Sequence, residues 1–438
     1  MMGAAPQARS AGIRYVFPVL AGKLARFATR LRGGGSAFPG YLTNRLSPTL
    51  LPTLAGQFPH GVIFVLGSNG KTTTTHMVSE VLRAHGLTVF TNPTGANLPQ
   101  GVTSALLADA TLTGRVRADV AVLEVDEGYA AELADRLSPA VILSLNVQVD
   151  QLFRFFETER VADMMLDAST RASGHVVVNR DDPYLSKIDV DAMTAPVSFF
   201  GISEDIVAVS AHGLSNAADT RSGTVGTIAR EAFAEVREVS GREIVVALGG
   251  QDVPITLPAR GLHYAADAAA ALTVAARVLG GAFDAGRAAA GFASMAPAYG
   301  RGEVIPLRGT PAGEQVEFVM FKNAPSLQMN LDALEGAPER ALIAIDDGTP
   351  DVSWLYDVDF APLPRVDVVT GEKAHQLALA LAYAGVEIGT VEPDMEKAVD
   401  IMRSFPETAS GRQVWFVNYE LMMIGRRILG LGEQETRR

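Results

Sequence analysis

The 438-residue chain contains no cysteine. That excludes disulfides, thiolate nucleophiles and any cysteine-ligated zinc or iron–sulfur site, so no zinc is expected, and it fits a reducing cytoplasm. Long apolar runs are missing too, and no window reads as a bilayer-crossing segment. Acidic residues are absent from the first 79 positions. The first is Glu80, preceded by Arg9, Arg14, Lys23, Arg26, Arg30, Arg32, Arg45 and Lys71. Tryptophan occurs twice, and no basic stripe is interleaved with aromatics. With a net charge of −12, this disfavours a nucleic-acid partner.

What is present describes a globular, multidomain protein. Hydrophobic residues make up 48% and charged residues 20%, and the length predicts two or three separate cores. Residues 1–55 read as a basic helical segment, in which "VFPVLAGKLARFATRLRGGGS" is amphipathic and ends at Gly33–Gly35. Its apolar part is short, carries Pro18 and is followed by arginine, which disfavours a secretory signal. Such a helix packs on the next domain, or touches anionic lipid or a lipid-linked substrate. The expected location is cytoplasmic, with a peripheral place at the inner membrane face as one reading, and not transmembrane.

From Gly61 onward, apolar strands alternate with helical segments: "GVIFVL", "LTVFT", "ADVAVLEV", "PAVILSLN" and "GHVVVN" predict a parallel sheet covered on both faces. Residues 56–296 form this central domain, with a small β-rich insert at about 201–258 and an alanine-rich helix after it. Residues 297–438 alternate again and predict a C-terminal Rossmann-like α/β domain.

The sharpest motif is "VLGSNGKTTTT", Val65 to Thr75, lying between an apolar strand and a helix. Its glycines permit a tight turn that aims successive N–H groups at one anion, and the helix N-terminus adds its dipole. Gly67, Ser68, Asn69, Gly70, Lys71, Thr72 and Thr73 are the expected nucleotide-binding residues. Lys71 offers a point charge to the β/γ-phosphates, and Thr72 a hydroxyl to Mg²⁺. The second metal anchor in such enzymes stands at the end of a neighbouring strand, where "VLEVDEG" places Glu124, followed by Asp126 and Glu127.

These motifs, with "TNPTGANLPQG" (91–101), "VVVNRDDP" (176–183) and "YGRGE" (299–303), resemble those of Mur ligases in content and order. "GANLPQG", "EVDE" and "DVSWLYDVDF" narrow the resemblance to the MurT-type subunits of lipid II isoglutaminyl synthase, over nearly the whole chain. The resemblance implies a Mur-ligase-like P-loop domain, ATP and Mg²⁺ as cofactors, and a GatD-type class I glutaminase as partner. It implies amidation of the D-glutamate α-carboxyl of lipid II with glutamine-derived ammonia, through an acyl phosphate. It makes Lys71 and Glu124 catalytic, and sets Arg301 near the nucleotide phosphates. Tyr264 and Asp267 fall where related ligases hold adenine, and Asp150–Gln151 fall in a polar site segment. Asp351 would complete the partner's catalytic triad, with Trp354 and Tyr356 as interface anchors, while Asp357 and Asp359 cap or solvate the turn. Alternatives are a stand-alone Mur-type ligase or a nucleotide-binding scaffold with weakened catalysis.

The chain also departs from the family pattern. The four cysteines of the zinc ribbon common in MurT-type proteins are missing. "GLHYAADAAAA" replaces the paired asparagines at the adenine helix. The lysine-asparagine-proline-alanine-glycine element reads "KNAPS" (322–326), and the acidic loop before the tryptophan motif is short.

Overall fold

The computed structural model describes residues 12–31, 37–93, 96–149, 157–210, 212–214, 229–296, 300–307 and 314–431. Asp150, Gln151 and Tyr299 lie outside the described residues, as do residues 211 and 215–228 of the 201–258 stretch. The chain divides into two compact units. The first comprises residues 1–206, 216–257 and 264–295, and the second residues 207–215, 258–263 and 296–438.

In the first unit, nine strands form one sheet in the order β2-β3-β1-β4-β5-β6-β7-β8-β9. They are β1 (Val62–Leu66), β2 (Val89–Thr91), β3 (Val120–Glu124), β4 (Val141–Ser144), β5 (His175–Asn179), β6 (Val197–Ile202), β7 (Ala232–Ser240), β8 (Glu243–Leu248) and β9 (Gln251–Thr256). β1 and β3 are buried throughout, which explains why β1 is a continuous apolar run and β3 is apolar up to its last residue, Glu124, rather than alternating. Pairing is parallel from β2 through β7 and antiparallel from β7 to β9. The hairpins expected within 201–258 are therefore present, but they extend the main sheet rather than standing apart from it.

Contrary to the expectation of no bilayer-crossing window, Leu262–Ala282 is long and apolar enough to cross a membrane by length and composition. Its helix, Leu262–Leu279, buries a nearly continuous run from Tyr264 to Ala275. Small alanine side chains allow close approach on several sides of one helix, and that burial marks a core helix of a folded domain.

The second unit holds six strands in the order β10-β11-β15-β12-β13-β14: β10 (Arg301–Pro306), β11 (Gln315–Met320), β12 (Ala341–Ala344), β13 (Arg365–Thr370), β14 (Glu387–Val391) and β15 (Arg412–Val417). All pairs are parallel except β10 with β11. Alternate residues feed two cores. Ile343 and Phe416 join the cluster with Leu355 and Leu377, while Leu342 and Trp415 join that with Phe318 and Met402. That split is the period of two expected of a sheet covered on both faces.

The KNAPS element is a helix start. Asn323 Oδ1 accepts from Ser326 N at 3.0 Å, and Ser326 Oγ accepts from Asn323 N at 3.1 Å. This reciprocal capping box opens the helix Ala324–Asp332, with proline in its first turn.

Candidate phosphate-binding site

The loop after β1 lies where the strand order reverses, with β3 on one side of β1 and β4 on the other. Ligands in open α/β sheets bind outside the carboxyl ends of strands at such a point. Gly67 and Gly70 have φ of +149° and +83°, conformations that side-chain-bearing residues rarely adopt. A Cβ at Gly67 would lie 2.8 Å from the Leu145 Cβ, and one at Gly70 would lie 2.7 Å from Asp267 Oδ1. Both positions exclude a side chain twice over, by backbone angle and by space. Lys71 then begins the 14-residue helix Lys71–Ala84, whose inner face buries Met77, Val78, Val81 and Leu82. Helix and dipole are thereby fixed against the sheet behind the loop.

Register brings the acidic anchor to the loop. Val65 pairs with Glu124, the last residue of β3. The Thr72 hydroxyl donates to Glu124 Oε2 at 2.7 Å, and Glu124 is 8% exposed. Asn92 fixes the Glu124 backbone from both sides: its Oδ1 accepts from Glu124 N, and its Nδ2 donates to Glu124 O, both at 2.9 Å. This gives "TNPTGANLPQG" a role in holding the carboxylate's strand end.

Three residues with no assigned role in the sequence reading also build the site. Glu127 Oε1 accepts from Lys71 Nζ at 2.6 Å and from Gly67 N at 3.2 Å. Asn146 clamps Asn69, accepting from its N at 2.9 Å and donating to its O at 3.1 Å. Gln148 Oε1 accepts from Asn69 Nδ2 at 2.6 Å, and Gln148 N donates to Ser68 Oγ at 3.0 Å. The loop's shape is thus set by the tail of β4. The sequence signal for Asn146 and Gln148 is the polar "NVQVDQ" after an apolar strand.

The donor set fits a nucleotide with a hard divalent cation. Thr72 and Glu124 supply adjacent oxygen ligands of the kind Mg²⁺ takes, and the glycine cradle and Lys71 suit phosphate oxygens. Thr73 is buried in the first helical turn. Tyr264 is 5% exposed and so lies buried within the protein. Asp267 is buried against Gly70, beside the phosphate loop.

The remaining site residues lie in the second unit. Arg301 opens β10. Its charge adds to burial in pulling the half-buried His263 down to about 4. Asp351 is exposed, and both its oxygens are engaged: Oδ1 accepts from Ser353 N at 2.8 Å and Oδ2 from Ser353 Oγ at 3.0 Å. Those bonds, from the backbone N–H first, hold its carboxyl below the ordinary aspartate value, with the Lys373 charge adding to the effect. Trp354 is half-buried, edge-on to Phe321, and Tyr356 is exposed, edge-on to Tyr383. Asp359 caps the following turn through Ala361 N at 2.9 Å.

Known proteins match this arrangement. Residues 65–275 match the Mur ligase middle domain and residues 320–422 the MurT ligase C-terminal domain. The chain is 26% identical over 411 residues to the MurT subunit of the glutamine-hydrolyzing lipid II isoglutaminyl synthase of Staphylococcus aureus (strain COL), covering 86% of this chain and 90% of that one. Identity to the subunit of the same name from Streptococcus pneumoniae (strain ATCC BAA-255 / R6) is 26% over 382 residues, 80% and 81% of the two chains. The fold is shared with Mycobacterium tuberculosis folylpolyglutamate synthase, solved with ADP and AMPPCP (TM-score 0.62, 17% identity, 96% of each chain). It is shared also with the MurF ligase of Thermotoga maritima in complex with ADP (TM-score 0.62, 20% identity, 88% and 82%).

The middle-domain match and the named relatives support an ATP-dependent ligase of the Mur type. The middle-domain and MurT C-terminal matches, with similarity over 80–86% of the chain to named MurT subunits, support a MurT subunit.

Proposed function

We propose that the chain is the synthetase subunit of a lipid II isoglutaminyl synthase, activating the D-glutamate α-carboxyl of lipid II for amidation. An unactivated carboxylate does not react with ammonia. Transfer of the ATP γ-phosphoryl group to a carboxylate oxygen releases ADP and gives an acyl phosphate. Ammonia nitrogen then attacks the acyl carbon, the C–O bond to phosphate breaks with its electron pair, and loss of a proton leaves the amide. The protein's contribution is positioning and charge stabilisation. The loop amides and Lys71 would receive the phosphates. Thr72 and Glu124 would hold Mg²⁺, which when bound neutralises charge between the β- and γ-phosphates.

The observation that carries this reading is the Thr72–Glu124 pair at 2.7 Å beside Lys71, in a chain similar over most of its length to named synthase subunits. Ammonia would come from a GatD-type class I glutaminase, whose Cys–His pair needs a carboxylate to orient the histidine. Asp351 suits that task, being exposed, fixed in direction by Ser353 and held ionised.

The test is reconstitution with such a glutaminase, lipid II, ATP, Mg²⁺ and glutamine. Formation of D-isoglutamine by the wild type, and its loss with Lys71→Ala, supports the proposal. A complex that hydrolyses no ATP with this acceptor overturns it and leaves a nucleotide-binding scaffold. Activity with ammonia while no glutaminase ever binds points to a stand-alone ligase.

A further inference from the structure

The helix Val16–Leu31 is turned inside out. Val19 and Gly22 form its buried face. Gly22 lies so close to the helices Phe38–Leu46 and Pro99–Asp109 that a Cβ there would meet Thr43 Oγ1 at 2.4 Å and a Leu107 methyl at 2.7 Å. Its large apolar residues point the other way. Phe17 is 70% exposed, Leu20 42%, Leu24 60%, Phe27 64% and Leu31 73%. At 3.6 residues per turn these five fall within an arc of about 80°, one continuous stripe along a helix about 24 Å long. A helix of a globular domain ordinarily sets such a stripe against its core. Here the small residues make the intramolecular contact, and the stripe is left outward. Phe38 and Tyr41, on the next helix, are each 54% exposed as well.

The charges around this face indicate its occupant. Between Met1 and Ser79 there are eight cations and no acid, in a chain whose net charge is −12. Arg14 and Arg45 are exposed, and Lys23 is half-buried next to Leu24. Long basic side chains beside an apolar stripe can rest their stems on it and keep their charges at the level of lipid headgroups. A Phe/Leu stripe with basic flanks, on a helix that itself carries no acid, is the composition of a helix lying in a membrane interface, with Asp109 of the neighbouring helix the acid that acts on Lys23.

We propose that the Phe17–Leu31 face docks this protein peripherally on an anionic bilayer, the stripe entering the boundary between headgroups and acyl chains. The inference rests on the helix alone and is independent of the ligase reading.

The purified full-length chain should co-sediment with phosphatidylcholine vesicles containing phosphatidylglycerol about tenfold more strongly than with phosphatidylcholine alone, and added salt should weaken the binding. The exposed triple substitution Phe17→Ser, Leu24→Ser, Phe27→Ser should lower vesicle binding by more than about tenfold without shifting Tm. Because the chain has no cysteine, Leu24→Cys carries a single polarity-sensitive label, which should shift to the blue on adding anionic vesicles and be quenched by quenchers placed in the acyl chains. Three results overturn the proposal: wild type that stays in the supernatant, a triple variant that sediments like wild type, or a label that never senses lipid. Self-association that the triple variant abolishes, with no lipid response, assigns the face to a second copy of the chain instead.

Discussion

Thr72 and Glu124, 52 positions apart in sequence, meet through a 2.7 Å hydrogen bond that ties the first turn after β1 to the end of β3. Both oxygens lie where a divalent cation beside the phosphate loop would find its protein ligands. Glu124→Gln keeps an acceptor for the Thr72 hydroxyl and removes the charge. It should leave Tm nearly unchanged, raise the Mg²⁺ concentration for half-maximal ATP turnover by about tenfold and lower maximal turnover by about 10²-fold. An Mg²⁺ titration of ADP release checks this, and an unchanged Mg²⁺ requirement would remove Glu124 from the metal site.

Lys71 and Glu127 form an ion pair at 2.6 Å with side chains 13% and 7% exposed. Breaking a buried pair from one side leaves an uncompensated charge. Lys71→Ala should therefore cost about 3 kcal/mol of stability in addition to nearly all ATP turnover. Adding Glu127→Gln to it should return most of the stability and none of the turnover. Denaturant unfolding of the two single variants and the double separates the structural task of this pair from the phosphate task of Lys71. If the double variant regained turnover, Lys71 would not be a phosphate ligand.

The parts of the site legible in sequence were those whose chemistry is local. Gly67, Gly70, Lys71 and Thr72 sit in one loop, and Glu124 follows an apolar strand, so composition alone raised them. Glu127, Asn146 and Gln148 were not assigned roles, because their partners, Lys71 and Asn69, are 56 or more positions away. Strands fared similarly. Buried β1 is an unbroken apolar run and β3 is apolar up to Glu124, whereas β14 reads "EIGTV" and is largely exposed, so no hydrophobic pattern marks it. Gly389 belongs there for a reason only the fold shows: a Cβ would lie 2.5 Å from Asp367 O. Tyr264, which the resemblance sets where related ligases hold adenine, is buried in the structure.

His263 supplies a pH dependence. Burial first, and the Arg301 charge second, lower it from 6.5 to about 4, and its Nδ1 is shut off from solvent. The folded protein therefore holds this imidazole neutral at pH values where the unfolded chain protonates it. The stabilisation is complete above about pH 6.5 and declines as pH falls towards 4. Discounted for partial exposure, the loss is about 2 kcal/mol. His263→Asn should flatten the fall in Tm between pH 6.5 and 4 relative to wild type. Parallel curves for the two proteins would show that His263 is not the group responsible.

Asp351 is tested by separating two nitrogen sources. Its carboxylate is exposed, yet both oxygens are held by Ser353, so its direction and charge are set before any partner arrives. Its lowered pKa means the charge is lost only as pH falls below the ordinary aspartate range, so it should impose no break on activity near neutrality. Asp351→Asn keeps the size and one acceptor and removes the charge that would orient a glutaminase histidine. Glutamine-dependent amidation should fall by about 10²-fold or more, while amidation driven by added ammonium salt stays within about twofold of wild type. Ser353→Ala should lower the glutamine-dependent rate less, by at most about tenfold, because the carboxylate keeps its charge and the backbone bond to Oδ1 and loses only the hydroxyl bond to Oδ2. Equal loss of both activities in Asp351→Asn would place the residue in the synthetase chemistry itself and end the shared-triad proposal.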